Sequence, residues 1–283
     1  MDRRAVAKLF SRSVLRQLAE EDGVEQFRAL AQESGLVASG APALTIADVL
    51  REGFDVLVQD YRNEYVYKNL IAQQLMLERH EVGEAVMLTE FAAYDSYADL
   101  VILNGTSTVY EIKSELDNYS RLEKQLRDYL KIFDRVNVVT HHTCSAALTH
   151  RLPVEVGVIE LNAAGKLVTV REAVSNVERL SPRAIFFSLR KAEYEAVVLA
   201  ADGCLPRLEG MSERRACLQR FGELAPEYVH GMMVSLLKGR DRRHRRDLYA
   251  RYLPRAVAHF GLSNKFNGRQ SAEFMRALNC QAA

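Results

Sequence analysis

The feature that most constrains this chain is an Asn-Gly pair near the middle of the sequence. Asn104-Gly105 separates two short apolar runs, residues 98–103 and 108–113. Such a pair between two apolar runs is the strongest short-range signal for a β-hairpin, because both residues tolerate the positive backbone dihedral of a tight turn. The centre of the chain therefore predicts a sheet.

The elements around the hairpin predict a mixed sheet flanked by helices. Helical spacing of apolar residues covers 4–35, 46–59, 62–79 and 119–133, and Thr45 with Asp48 is typical of a helix start. Further strands are predicted at 85–91, 135–140, 154–161 and 167–170, the last of them at an edge. The order α-β-β-β-α-β indicates an α/β fold.

Charge is divided unevenly along the chain. The total of 38 basic and 37 acidic residues gives a net charge of only +1, but residues 1–205 carry −7 and residues 206–283 carry +8. From about residue 172 the pattern is mainly helical. We therefore predict a helical N-terminal region at 1–60, a core at 61–172, and a helical, basic C-terminal region at 173–283. A basic region indicates a polyanion as partner, although a solvated helical face explains such charge equally well.

Three ionisable residues occur around the predicted hairpin. Asp99 lies inside the second strand, and Glu111 and Lys113 end the third. Because strand side chains alternate, Glu111 and Lys113 share one face, and the hairpin can bring Asp99 beside Glu111. Burying two carboxylates and an ammonium is costly unless they bind something. Mg²⁺ or Mn²⁺ suits such oxygen ligands, whereas an exposed edge-strand ion pair is the simpler explanation of Glu111 and Lys113 alone.

This arrangement resembles the PD-(D/E)xK nuclease superfamily over roughly residues 60–160. The resemblance implies a restriction-endonuclease-like α-β-β-β-α-β core, with Asp99 and Glu111 as metal ligands and Lys113 as the lysine of the motif. It further implies that the backbone carbonyl of Ile112 binds the metal and that Glu64, on the preceding helix, supplies an extra acid. Ala98 stands where the motif has Pro.

The helix after the hairpin carries a second part of the resemblance. Gln125 and Tyr129 fit the QxxxY pattern of the exonuclease-like branch, which includes the RecB, lambda-exonuclease and Cas4 types. Their spacing of four places them on one helix face. In that branch these residues position the DNA strand near the metal. The alternative is that Tyr129 belongs to the core and Gln125 is a solvated neighbour.

Several nearby residues are alternatives for the same roles. Asp95 replaces Asp99 if the hairpin register slips. Glu115 and Asp117 are acids that could reach the site from the loop, and Asp117 could instead cap the next helix. The basic residues Arg62, Lys68, Arg121 and Lys124 could contact phosphate or form surface ion pairs. His141 and His142 form a histidine pair in a loop.

The densest basic run begins at residue 238. Residues 238–255 contain eight Lys or Arg and two Asp, including Arg242, Arg243, Arg245 and Arg246. Such a run neutralises phosphates without reading sequence. Tyr249 and Tyr252 lie within it and could stack on unpaired bases or pack against neighbouring helices.

The sequence thus predicts a metal-dependent nuclease that hydrolyses DNA phosphodiester bonds, with Mg²⁺ or Mn²⁺ as cofactor and an exonuclease or end-processing bias. The alternatives are a non-catalytic nucleic-acid-binding protein on the same fold and an RNA-directed or defence nuclease. A homo-oligomer or a partner protein is compatible with either. Four scattered cysteines and the lack of any stretch of ~20 apolar residues predict a cytoplasmic protein without a membrane partner.

Overall fold

The protein contains one six-stranded sheet, and the predicted hairpin is part of it. The structure, a computed structural model, describes residues 1–37, 44–115, 117–240 and 246–282. Its six strands lie side by side in chain order. They are β1 (Val86–Ala93), β2 (Ser96–Leu103), β3 (Ser107–Lys113), β4 (Arg135–His141), β5 (Gly157–Leu161) and β6 (Leu167–Arg171).

The sheet is mixed, as the sequence predicted. Strands β3, β4 and β5 are parallel, whereas β1–β2, β2–β3 and β5–β6 are antiparallel. The hairpin pairs Leu103 with Ser107, and Gly105 has a φ of 101°, a value that glycine adopts without steric cost. The predicted α/β fold, the three-stranded start and the edge position of β6 are confirmed.

Helices surround the sheet and dominate both ends of the chain. They are α1 (Arg3–Leu9), α2 (Arg12–Gln17), α3 (Gly23–Ser34), α4 (Ile46–Asp60), α5 (Glu64–Leu70), α6 (Leu122–Tyr129), α7 (His142–Arg151), α8 (Pro182–Ser188), α9 (Lys191–Asp202), α10 (Gly210–Phe221), α11 (Pro226–Gly239), α12 (Arg246–Arg251), α13 (Ala258–Ser263) and α14 (Gly268–Leu278). The prediction of one helix over 4–35 is wrong, because Ser11 caps a new helix by accepting a hydrogen bond from Val14.

The predicted helix over 62–79 changes type halfway along its length. It begins as α5 after Asn63, whose side chain accepts a hydrogen bond from the Val66 amide, and it continues as a π-helix over Ile71–Leu77. Wider π turns are rare and occur frequently at functional sites. Here the π segment follows the helix that carries Glu64 and Lys68.

Each face of the sheet has its own apolar core. One core joins the sheet to α1–α5, the π segment and α12–α14, and includes Leu100, Ile102 and Ile112. The other joins the opposite face to α6 and α8–α11, and includes Val101 and Val109. Alternation along β2 and β3 produces this division. The protein therefore has three layers, and residues from both ends of the chain cover the same side of the sheet.

The start of α4 is hydrogen-bonded to the last described residues of the chain. The Ile46 amide donates to the carbonyl of Cys280 at 2.9 Å, and the Ala282 amide donates to the carbonyl of Leu44 at 2.7 Å. Between these bonds, Thr45 and Gln281 form an antiparallel bridge. Thr45 also forms a capping box with Asp48 at the start of α4, as the sequence predicted. A short two-stranded contact thus links the start of α4 to the last described residues.

No helix among the described residues combines the length and the apolar character needed to cross a lipid bilayer.

Candidate metal centre

The hairpin places Asp99 next to Glu111, as the sequence predicted. The ladder pairs Leu100 with Tyr110, so continuing the same register sets Asp99 opposite Glu111. The Ile112 amide donates to Oδ2 of Asp99 at 2.8 Å. Burial, followed by the negative charge of Glu111, raises the pKa of Asp99 to about 7. The two carboxylates therefore repel each other at a position where Glu111 is buried and Asp99 is half-buried, and such a setting favours a bound cation.

Glu111 and Lys113 form a buried pair on one face of β3. The Lys113 ammonium donates to Oε1 of Glu111 at 2.9 Å, and the side chains of Lys113 and Glu111 are only 10% and 1% exposed respectively. This degree of burial separates the pair from an exposed edge-strand ion pair. Burial raises the pKa of Glu111, and the charge of Lys113 opposes part of that rise.

Helix α6 supplies the remaining partners of this pair. The hydroxyl of Tyr129 lies 2.7 Å from Oε2 of Glu111, and Oε1 of Gln125 accepts from Lys113 at 3.1 Å. Tyr129 is fully buried, and its hydroxyl also lies 2.7 Å from the Tyr97 carbonyl. Gln125 and Tyr129 thus face the hairpin acids together. They bind the side chains of β3 directly, which the sequence alone did not predict.

A group of three carboxylates lies beside this network. Oxygen atoms of Glu64, Glu90 and Asp99 all lie within 4.8 Å of one another. Glu64 begins α5, Glu90 belongs to β1, and Asp99 belongs to β2. Sequence reasoning predicted Glu64 and Asp99 but missed Glu90. We call Glu64, Glu90 and Asp99 the carboxylate trio.

An ammonium group occupies the space between two members of the trio. The Lys68 Nζ lies 2.6 Å from a carboxylate oxygen of Glu64 and 2.5 Å from one of Glu90. Burial opposes a charge on Lys68, but its hydrogen bonds to the two glutamates outweigh that effect and raise its pKa. The Lys68 ammonium thus balances the negative charges of Glu64 and Glu90 in this structure.

The backbone of β1 is distorted where it contributes to the trio. Glu90 has a φ of 51°, which is uncommon for a residue with a side chain. The ladder between β1 and β2 pairs Thr89 with Leu100 and Phe91 with Ala98, and it skips the pair between them, Glu90 and Asp99. Local strain of this kind costs on the order of 1–3 kcal/mol and clusters at functional sites.

The donor chemistry of the trio fits a hard divalent cation. Three carboxylates offer only oxygen ligands, which Mg²⁺ and Mn²⁺ prefer. No histidine or cysteine in the described part of the chain joins them in a ligand group. Glu111 is not a member of the trio, and its two carboxylate oxygens contact Lys113 and Tyr129. The contact that links Ile112 to the acids runs through its amide N–H, which binds Asp99.

Most of the alternative residues have structural partners instead. Asp95 is exposed in the turn between β1 and β2, so the register favours Asp99. Asp117 accepts hydrogen bonds from Ser114 and does not cap α6, which follows Arg121 without a side-chain cap. Three further pairings are present: Arg62 donates to the Val58 and Ala163 carbonyls, Lys124 pairs with Asp128, and Glu115 lies near His141.

The predicted basic run lies partly within the described residues. Arg242, Arg243 and Arg245 lie outside the described residues. Arg246 begins α12 and donates from Nη1 to the Leu262 carbonyl at 3.2 Å. Tyr249 packs against the core and Tyr252 is 68% exposed.

Comparison with known proteins assigns the chain to a phage family. The family model of bacteriophage P4 protein cII matches residues 58–262, which include every strand and the carboxylate trio. Protein cII of Enterobacteria phage P4 is 31% identical over 84 residues, or 29% of this chain, and the match spans 32% of the phage protein's length. A solved protein of unknown function from Silicibacter pomeroyi aligns with a TM-score of 0.32 and 21% identity, covering 50% of this chain and 92% of its own. The chain belongs to the bacteriophage P4 protein cII family.

Proposed function

We propose that this protein is a metal-dependent nuclease that hydrolyses DNA phosphodiester bonds. The observation that carries the proposal is the carboxylate trio beside a buried lysine, with Asp99 shared between the trio and the Glu111–Lys113 network. The Glu64 and Glu90 side chains are largely exposed, but burial raises the pKa of Asp99 and of Glu111, and the backbone at Glu90 is distorted. Raised carboxyl pKa values and backbone distortion are features of functional sites rather than of ordinary packing. The resemblance to the PD-(D/E)xK superfamily supports the same conclusion.

Glu64, Glu90 and Asp99 would hold Mg²⁺ or Mn²⁺, and Glu111 would set the charge behind Asp99. A bound divalent ion lowers the pKa of water and stabilises the charge that develops on a phosphoryl group. Lys113 would hold a proton-bearing nitrogen close to the acids, where it can donate to a phosphate oxygen or orient a water. Gln125 and Tyr129 fix Lys113 and Glu111 in place, and so act as positioning residues.

The test is Mg²⁺-dependent hydrolysis of linear and closed circular DNA by the purified chain. We expect Lys113→Ala to reduce the rate by about 100-fold or more, since general acid–base groups contribute about 10²–10⁴-fold. Lys131→Ala is the matched control, because Lys131 also pairs with a carboxylate, that of Asp128, but away from the trio. A rate unchanged in Lys113→Ala would overturn the proposal. Equal cutting of linear and closed circular DNA would reject the exonuclease bias.

A second function, DNA binding without cleavage, is favoured by the pairing of Glu111. Both of its carboxylate oxygens have partners within the protein, at 2.9 Å from Lys113 and 2.7 Å from Tyr129. Such a network needs no metal to be satisfied. This alternative predicts salt-sensitive binding that Mg²⁺ does not change, because phosphate contacts alone would supply the affinity. An RNA substrate would be detected in the same assay by replacing the DNA strand.

A further inference from the structure

A cavity opens directly beside the carboxylate trio. It has a volume of about 410 Å³, and Glu64, Lys68 and Glu90 form part of its lining. Small-molecule sites are typically about 300–1,000 Å³, so the cavity has room for one nucleotide but not for a stacked duplex. Helices α1, α2, α5 and α13 and strand β1 contribute the remaining residues.

The walls of the cavity combine aromatic rings with polar groups. Phe10, Tyr65 and His259 lie together, with ring centroids 5.1 Å apart for Phe10 and Tyr65 and 6.2 Å apart for Tyr65 and His259. Phe10 is only 2% exposed and supports the other two rings from the core, so Tyr65 and His259, both half-buried, form the ring wall of the cavity. The Tyr65 hydroxyl donates to the Ala256 carbonyl at 2.7 Å, so the polar group of this side chain is already satisfied within the protein. Flat rings suit contact with a nucleobase.

Two polar groups of the cavity wall have no partner within the protein. Arg12 is exposed at the start of α2, and among the described residues its guanidinium makes no hydrogen bond or ion pair. Nε2 of His259 is buried and has no hydrogen-bond partner in the described part of the chain. Burial, together with the charges of Lys68 and Arg12, lowers the pKa of His259 to about 3, so its ring is neutral at neutral pH.

We propose that this cavity receives one unpaired nucleotide of the DNA strand, with Arg12 binding its phosphate and the ring wall contacting its base. The inference rests on the proposed function, because it makes the carboxylate trio the place where the adjoining phosphate lies. A free phosphate would leave the ring wall unused, and an apolar ligand would leave Arg12 without an anion. A nucleotide supplies both a phosphate for Arg12 and a base for the ring wall.

The experiment measures binding of fluorescent ten-residue strands by anisotropy, with Ca²⁺ in place of Mg²⁺. The probes are an oligothymidylate, an abasic strand with the same number of phosphates, and a blunt hairpin duplex. We expect the oligothymidylate to bind about tenfold more tightly than the abasic strand, since base–aromatic contacts contribute that much per base. Arg12→Gln should weaken oligothymidylate binding by about tenfold through loss of a charge-assisted phosphate contact.

Arg16→Gln is the matched control, because Arg16 is exposed on the same helix and does not line the cavity. Equal affinity for the oligothymidylate and the abasic strand, or equal effects of the two arginine variants, would overturn the inference. If base-dependent binding is found but no strand is cut in Mg²⁺, the proposed nuclease fails while the nucleotide cavity stands. If cutting occurs with base-independent binding, only the cavity inference fails.

Discussion

Asp99→Asn should stabilise the metal-free protein at pH 8, although it removes a residue central to the site. The pKa of Asp99 is about 7 instead of 3.8, chiefly because of burial and then because of the neighbouring charge of Glu111. A shift of roughly three units corresponds to an upper limit of about 4 kcal/mol at 1.36 kcal/mol per unit. Asp99 is only half-buried, and solvent screening lowers this figure, so we expect a gain of about 1–3 kcal/mol. The asparagine Oδ1 can still accept from the Ile112 amide.

The raised pKa of Asp99 makes the free energy of unfolding of the wild type depend on pH. Between 3.8 and about 7 the folded protein holds a proton on Asp99 that the unfolded chain has released. The free energy of unfolding of the wild type therefore falls as the pH rises through this window, and it levels off above pH 7. The gain from Asp99→Asn should consequently be smaller at pH 5 than at pH 8.

Urea unfolding in EDTA at pH 5 and pH 8 measures both effects. Asp95→Asn is the control, since Asp95 is exposed in the neighbouring turn and should change the free energy of unfolding by less than about 0.5 kcal/mol. Adding Mn²⁺ at pH 8 should stabilise the wild type and leave Asp99→Asn almost unchanged. A loss of stability in Asp99→Asn at pH 8, or an equal gain at both pH values, would refute the reasoning.

Three other substitutions test separate parts of the structure. Glu90→Gln should weaken Mn²⁺ binding roughly tenfold in calorimetry by removing one ligand charge, whereas the exposed Glu81→Gln should not; equal affinities would remove Glu90 from the site. Tyr129→Phe should lower the free energy of unfolding in urea by about 1–3 kcal/mol, because Glu111 loses a buried donor, and an unchanged value would contradict that contact. Burial opposes ionisation of Asp134, but three hydrogen bonds lower its pKa below 3.8, so its contribution is present above that pH and lost on acidification. Asp134→Asn should therefore flatten the acid limb of the stability profile, and an unaltered limb would argue against the assignment.

The hairpin and its acids were predictable because local signals agree there. Asn104-Gly105 specifies the turn, and the alternation of apolar residues places Asp99 and Glu111 on the same face. The spacing of Gln125 and Tyr129 likewise placed both on one side of α6. In each case one short segment of sequence contains the whole relation, so no long-range contact had to be inferred.

The sequence did not predict Glu90 as a member of the carboxylate trio, because its place there depends on how separate elements of the chain pack together. Glu90 follows an apolar run that is typical of an ordinary strand, and that run does not predict the positive φ of Glu90. Its approach to Glu64 also depends on how α5 packs beside β1. The break of the N-terminal helix at Ser11 is different, since Ser is a common N-cap and the signal was present but was outweighed by the apolar spacing around it.

The bridge between Thr45 and Gln281 has a consequence for how the chain can be shortened. The family match runs from residue 58 to residue 262, so both partners of this bridge lie outside it. Helices α1–α4 and α14 nevertheless cover the same apolar layer and are bonded to each other through residues 44–46 and 280–282. Removal of α14 and residues 280–282 would therefore take away the hydrogen-bonded partner of the start of α4, and the reverse also holds. The two flanking segments thus support each other outside residues 58–262, and a fragment cut at the limits of the family match would lose both partners of this bridge together.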